Sequence, residues 1–324
     1  YATKDDTDFV QSEGHPDLGN VPQTQQASRA RAKGRGNKKK ISKRARTPRL
    51  SVYDVSQIAV RKGIKTRVEL LALANAQEKS GKTDLAEFVA NRGYRAVEDA
   101  LKVGWEMEEA PRELERRSKT RLEILQAFAH TECVAGCNRQ WLAMARDILF
   151  RNGIPELEFC EAVKCLLIKG RGKYRNILIK GPANCGKTFI IDPLNSIYRT
   201  FANPATTTFA WVGAENAEIL FLNDFRWSEK VIPWHDLLLL LEGQTVHLPA
   251  PKSHFPEDIT FVKDTPIFCT TKEELVYVRG GVVDERETEM MRVRWKIFNF
   301  HAQIPRSQQV DILPCSRCFA ELLA

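Results

Sequence analysis

No apolar run in the chain approaches the roughly 20 residues a membrane-crossing helix needs. The longest leucine run, "LLLLLEG" at 237–243, is far too short. No secretory signal is evident, and the eight cysteines in 324 residues do not form a disulfide framework. Together these absences point away from a membrane or secreted protein and toward a reducing interior, cytosol or nucleus. The first residue is Tyr1, which reads as a processed chain or a fragment. Acidic residues are missing altogether from 29–49, "RARAKGRGNKKKISKRARTPR", which holds eleven Lys or Arg. Residues 1–28 are acidic in balance, so the net charge of +8 comes from this tail and the rest of the chain is nearly neutral. A basic block without apolar residues to fold around reads as a nuclear-import signal or a nucleic-acid arm. Nuclear localisation is the expectation.

With 43% hydrophobic residues the chain can bury a sizeable core and suggests about two domains. Residues 1–50 read as a disordered basic tail. From 51 to 154 the pattern is helical, in segments such as "RVELLALANAQEK" and "WLAMARDILFRNG", and reads as a helical oligomerisation domain. After Pro155 and one more helix, "LEFCEAVKCLLIKG", strands alternate with helices. The strand candidates are "NILIKG", "TTTFAWVG" (206–213), "EILFLND" (218–224), "TPIFCTT" (265–271) and "RWKIFNF" (294–300), with a hairpin expected in "QTVHLPAPKSHFPEDITFV". The fold class expected for 155–305 is α/β with a mostly parallel sheet, its site at the strand C-termini. Residues 306–324 read as a C-terminal tail.

Two stretches fit the loose phosphate-loop pattern: "AQEKSGKT" at 76–83 and "GPANCGKT" at 181–188. A phosphate loop must leave a strand and open a helix whose N–H groups face the phosphates. The first stretch ends a helical pattern, with Gly81 as a C-cap and Thr83 or Asp84 as the next N-cap. The second follows the apolar run "NILIK" and precedes "FIIDPLNSIY", in which Pro193 should kink or shorten the helix. The nucleotide site is therefore assigned to Gly181, Pro182, Ala183, Asn184, Cys185, Gly186, Lys187 and Thr188. Gly181 and Gly186 let the backbone approach the phosphates. Lys187 reaches the β- and γ-phosphates, and the Thr188 hydroxyl sits on Mg²⁺. ATP and Mg²⁺ are the implied ligands.

"GPANCGKT", then "EILFLNDFRW…IPWHDLL", then "TPIFCTTK" resemble the superfamily 3 helicases, the AAA+-like ATPases of viral replication proteins. The resemblance covers roughly 155–302, with its motifs in the family's order. The whole chain looks most like Rep-derived proteins of invertebrate genomes and mobile elements, in which a nicking endonuclease often precedes the helicase; none is evident here. The resemblance implies a P-loop ATPase core, DNA as partner and a homo-oligomeric ring, usually a hexamer, with ATP between subunits. It places an acidic pair where this chain has Asn223-Asp224. Asp224 would hold Mg²⁺ or orient the attacking water, while Asn223 supplies a neutral carbonyl in place of a carboxylate. Lys252 and His254 fall where the family has the basic residues of a DNA-contacting hairpin. Lys272 stands where a γ-phosphate-sensing Asn is usual. Arg294 falls at the arginine finger, with Arg292 and Arg286 as nearby alternatives.

The expected function is an ATP-dependent, DNA-translocating helicase core carried on the helical oligomerisation domain; its rivals are a DNA-binding relic that binds ATP without productive hydrolysis and a P-loop GTPase. The GTPase needs an Asn/Thr-Lys-x-Asp motif, and Thr271-Lys272 is followed by Glu274 in the Asp position. His130, Cys133 and Cys137, with Cys315 and Cys318, offer zinc ligands, yet their spacings match no standard pattern and ordinary thiols are the expectation.

Overall fold

The structure is a computed structural model and describes residues 49–204, 209–251, 258–309 and 311–324. The chain divides into two compact units, 1–108 and 109–324. In the first, α1 (Val52–Lys62) and α2 (Arg67–Lys79) each open on a capping box, Ser51 with Asp54 and Thr66 with Glu69. The third helix, α3 (Asp84–Ser118), runs past the boundary between the units and departs from helical geometry at Gly93. Val55, Leu70, Leu85, Phe88 and Val97 form the core of this unit. The stretch 76–83 closes α2 and contains no strand, so it is not a phosphate loop.

The second unit is built on a sheet of five parallel strands in the order β2 (Thr200–Ala202), β3 (Ile219–Leu222), β6 (Ile267–Thr271), β1 (Asn176–Lys180), β9 (Trp295–Asn299). Its central strands are mostly apolar and buried on both faces, only Lys180 at the end of β1 being partly exposed. Alternate side chains then feed two cores. Ile177, Ile179, Ile219, Phe221, Phe268 and Phe298 pack with α4 (Arg121–Ala129), α5 (Gln140–Arg151) and α6 (Glu156–Lys169). Leu178, Leu220, Leu222, Ile267, Cys269 and Trp295 pack instead with α9 (Trp234–Glu242) and an antiparallel hairpin, β4 (Val246–Pro249) with β5 (Asp258–Phe261). Two short helices, α7 (Lys187–Ile191) and α8 (Leu194–Ile197), flank Pro193, which ends the first as its fixed φ and missing N–H require. A two-stranded ribbon, β7 (Val278–Arg279) with β8 (Val282–Val283), precedes α10 (Glu285–Arg292).

A cation whose guanidinium hydrogen-bonds to carbonyls, with the Asp264 carboxylate acting on it only through space, is buried under the hairpin. Arg171 is 2% exposed, and its guanidinium donates to the carbonyls of Leu240, Gln244, Phe261 and Lys263. Burial pushes its pKa down to about 10, which leaves it charged at neutral pH. The carbonyls of α9 and the strand-end loops supply the negative partial charge that a carboxylate would otherwise supply.

Three expectations need correction. The strand expected at 206–213 is absent from the described part of that stretch. Residues 209–213 are turns, and the edge strand is Thr200–Ala202 instead. Trp211 serves the core, stacked on Phe201 at 5.6 Å with Nε1 donating to the Val231 carbonyl. The division expected at 154/155 does not coincide with the units, because Ile124, Leu125, Trp141, Leu142 and Ile148 pack directly under the sheet of the second. Nor is 306–324 a mere tail: it forms α11 (Ser316–Leu322), whose Phe319 and Leu322 are buried in that same core.

Candidate nucleotide site

The glycine loop expected to hold phosphates leaves β1 and wraps onto α7, at the C-terminal end of the parallel strands. Its two glycines are required by geometry. A β-carbon on Gly181 would lie 1.9 Å from the Phe300 carbonyl oxygen. Gly186 has φ +86°, and a β-carbon there would press 2.7 Å from Ile148 Cδ1. Lys187 is buried, with Nζ donating to the Gly181 and Pro182 carbonyls at 2.8 and 2.6 Å. The loop thus holds the ammonium with its own carbonyls. Cys185 is buried and donates its thiol to the Pro182 carbonyl, a packing role.

A cavity of about 280 Å³ is lined by Ala183 to Phe189 together with Asp224 and Lys272. The structure therefore brings Lys187, Thr188, Asp224 and Lys272 from three separate segments to one place. Asn223 sits just behind. Its Oδ1 accepts from the hydroxyls of Thr188 at 2.7 Å and Thr270 at 2.8 Å. The Thr270 hydroxyl also accepts from the Asp224 N–H at 2.7 Å. Thr270 thereby fixes the turn in which Asp224 takes φ +47°, a left-handed conformation that Asp tolerates better than most residues. The sequence marks Thr270 only as a residue before Lys272; its role as the support of Asn223 and Asp224 depends on the pairing of β3 with β6, which no local pattern reveals.

A second cavity, of about 510 Å³, shares Asp224 and Lys272 and continues along Arg226, Trp227, Glu273 and Glu274. Arg292 reaches its rim. Its guanidinium donates to Glu274 at 2.6 Å and holds that carboxyl below its ordinary range.

Arg294 does not belong to this site. It is 7% exposed and its guanidinium donates to the carbonyls of Leu238 and Met290 and, at 2.5 Å, to Glu242. It ties α9 and α10 to the start of β9, so the side chain expected to act as a finger is engaged within its own chain. The alternatives, Arg286 and Arg292, are both exposed on α10. Lys252 and His254 lie outside the described residues, although the hairpin that carries their segment is present.

The residues fit ATP and Mg²⁺ on structural grounds. The glycine loop has no room for side chains, a lysine is built into it, and a threonine hydroxyl and a carboxylate face one cavity.

No protein-family profile matches the chain. It is similar to the initiator protein NS1 of Hamster parvovirus H1, 23% identical over 188 residues, which is 57% of this chain and 27% of that protein. NS1 of Porcine parvovirus (strain Kresse) is 24% identical over 153 residues, covering 46% and 22% respectively. NS1 of Feline panleukopenia virus is 23% identical over 188 residues, covering 56% and 45%. The match thus spans less than half of each of these relatives. Among solved structures, the JCV helicase aligns over 86% of this chain and 87% of its own, with a TM-score of 0.50 and 14% identity. By sequence the chain is thus similar to parvovirus initiator proteins NS1, and its fold, built on a parallel sheet, is similar to that of the JCV helicase.

Proposed function

We propose that the chain is the ATP-hydrolysing, DNA-translocating motor of a Rep-type replication initiator, acting in the nucleus as a homo-oligomeric ring, a hexamer, with ATP bound between subunits. The observation that carries this reading is the convergence of Lys187, Thr188, Asp224 and Lys272 on one cavity at the strand C-termini. Lys187 binds the β- and γ-phosphates once it leaves the Gly181 and Pro182 carbonyls. Asp224 orients the attacking water, and Lys272 presents a point charge to the γ-phosphate. Thr188 and Asp224 are the residues that would hold Mg²⁺, which supplies charge neutralisation on the phosphates. An exposed arginine of α10, Arg286 or Arg292, completes the neighbouring subunit's site. The likeness to an initiator protein in sequence and to a helicase in fold supports the reading. ATP turnover by the purified chain, with and without single-stranded DNA, tests it.

A second reading, an ATP-binding protein with weak hydrolysis, is favoured by one observation. Asn223 is neutral, and its oxygen is already occupied by the Thr188 and Thr270 hydroxyls. Asn223→Asp keeps an acceptor for both and adds a charge. It is expected to tighten the Mg²⁺ dependence of ATP turnover by about tenfold, the low end of what outer-shell partners contribute to metal affinity. An unchanged Mg²⁺ titration would mean that Asn223 does not limit the site.

The basic segment 29–49 is proposed as a DNA arm. Its eleven cations should give binding to single strands with a log–log salt slope of about −0.7 per contacted phosphate. Deleting 29–49 is expected to weaken binding and flatten that slope. Identical titrations with and without the segment would leave it no role in DNA affinity.

A further inference from the structure

Four cysteine thiols that the nucleotide chemistry does not use meet at one point in the second unit. Cys133 and Cys137 lie in the loop before α5, and Cys315 and Cys318 lie at the start of α11. Their sulfur atoms all lie within 4.8 Å of one another. Cys318 Sγ is 3.7 Å from both Cys133 Sγ and Cys137 Sγ. A disulfide needs about 2.05 Å between sulfurs. A tetrahedron of four thiolates around Zn²⁺, with Zn–S near 2.3 Å, has edges of about 3.8 Å. The two Cys318 separations match that edge, and all of the separations stay within 4.8 Å, far above a disulfide length. His130, grouped with these residues by sequence, is exposed and lies outside the cluster.

A second observation points the same way. The Arg317 guanidinium approaches Cys133 Sγ at 3.9 Å through Nη1, and its Nε is buried with no hydrogen-bond partner. A buried donor on a cation calls for an anion close by. Four neutral thiols do not supply one. Four thiolates on Zn²⁺ carry a net charge of −2, a charge this arginine meets directly.

We propose that Cys133, Cys137, Cys315 and Cys318 form a closed structural Zn²⁺ site. Binding replaces four S–H bonds by four Zn–S bonds and releases up to four protons, with no change of oxidation state. Because no fifth ligand position is offered, the role is structural rather than catalytic. The site joins the loop 133–137 to the segment 315–324 across the length of the second unit's sequence. Its mechanical consequence is visible in the aromatic contacts. Phe319 of α11 meets Trp141 edge-on at 5.9 Å, and Trp141 stacks at 5.4 Å on Phe189, two residues beyond Lys187. The metal thus fixes the helix that backs the phosphate loop.

The test needs no nucleotide. The whole chain, expressed with zinc supplied and purified under reducing conditions without chelator, should contain one zinc per chain by elemental analysis. Replacement by Co²⁺ should give the intense visible bands and sulfur-to-metal charge transfer of a tetrahedral tetrathiolate. Cys133→Ser, at the most exposed of the four positions, should lose stoichiometric zinc and the tetrathiolate spectrum, whereas Cys165→Ser, outside the cluster, should keep both. Substoichiometric zinc in the native chain, together with no such spectrum on adding Co²⁺, would overturn the proposal. A Cys133→Ser protein that retained the tetrathiolate spectrum would overturn it as well. The native-chain measurements decide the matter even where a variant fails to fold.

Discussion

Lys187→Ala is expected to lower ATP turnover by roughly 10²–10³-fold, the effect of removing one preorganised electrostatic stabiliser from a phosphoryl-transfer site. The expectation rests on where the side chain is. It is buried inside the loop, with its ammonium between the Gly181 and Pro182 carbonyls, at the floor of the cavity that Thr188, Asp224 and Lys272 complete. The substitution removes two hydrogen bonds local to the loop, while Gly181 and Gly186 still define its path. Folding should therefore survive, with a circular-dichroism spectrum like that of the native chain. ATP hydrolysis and any ATP-driven strand separation should fail together. Native turnover by a folded Lys187→Ala protein would place the phosphate site elsewhere.

Arg294→Ala is expected to damage stability rather than chemistry. The guanidinium is nearly inaccessible and bridges two carbonyls and the Glu242 carboxylate. Removing it strands the Leu238 and Met290 carbonyls and leaves Glu242 with Lys173 as its remaining cation. Breaking a buried, hydrogen-bonded ion pair typically costs about 3–5 kcal/mol. In a unit of this size that lowers Tm by on the order of 10 °C. Thermal unfolding of Arg294→Ala beside Arg286→Ala and Arg292→Ala checks this. The two α10 variants alter exposed side chains and should unfold within about 1 kcal/mol of the native chain. One of them should lose ATP turnover and recover part of it when mixed with Lys187→Ala, because mixed rings contain some interfaces with both parts intact. A native Tm for Arg294→Ala, combined with lost turnover that such mixing restores, would return the finger to Arg294.

The legible parts of this molecule are those where a local pattern carries a strong physical demand. The apolar cores of "NILIK", "EILFL" and "PIFCTT" have the length of buried strands, and each is one. "GPANCGKT" announces itself through glycines that the backbone geometry then needs. Pro193 limits α7 as its chemistry dictates. The hairpin was visible because turn residues separate two alternating runs.

What was not legible depends on packing between distant segments. The edge strand Thr200–Ala202 has two half-buried residues, one exposed residue and no periodic signal, whereas the described part of the aromatic stretch after it, 209–213, is turn. The helices on either side of residue 108 share one amphipathic period, so nothing local says which core they join. Arg294 and Arg292 are two residues apart, and only the packing of β9 against α9 decides which is buried. The cysteine cluster is the extreme case. A C-x3-C pair and a C-x2-C pair lie at opposite ends of the second unit's sequence, and only its folding brings them together.

The most direct measurement of the central claim is steady-state ATP hydrolysis by the native chain across a titration of single-stranded DNA, at fixed Mg²⁺ and low salt. The account predicts a basal rate that rises with DNA and is absent from Lys187→Ala at every DNA concentration. ATP binding without turnover, at any DNA concentration, would contradict the motor and leave the chain a nucleotide-binding protein.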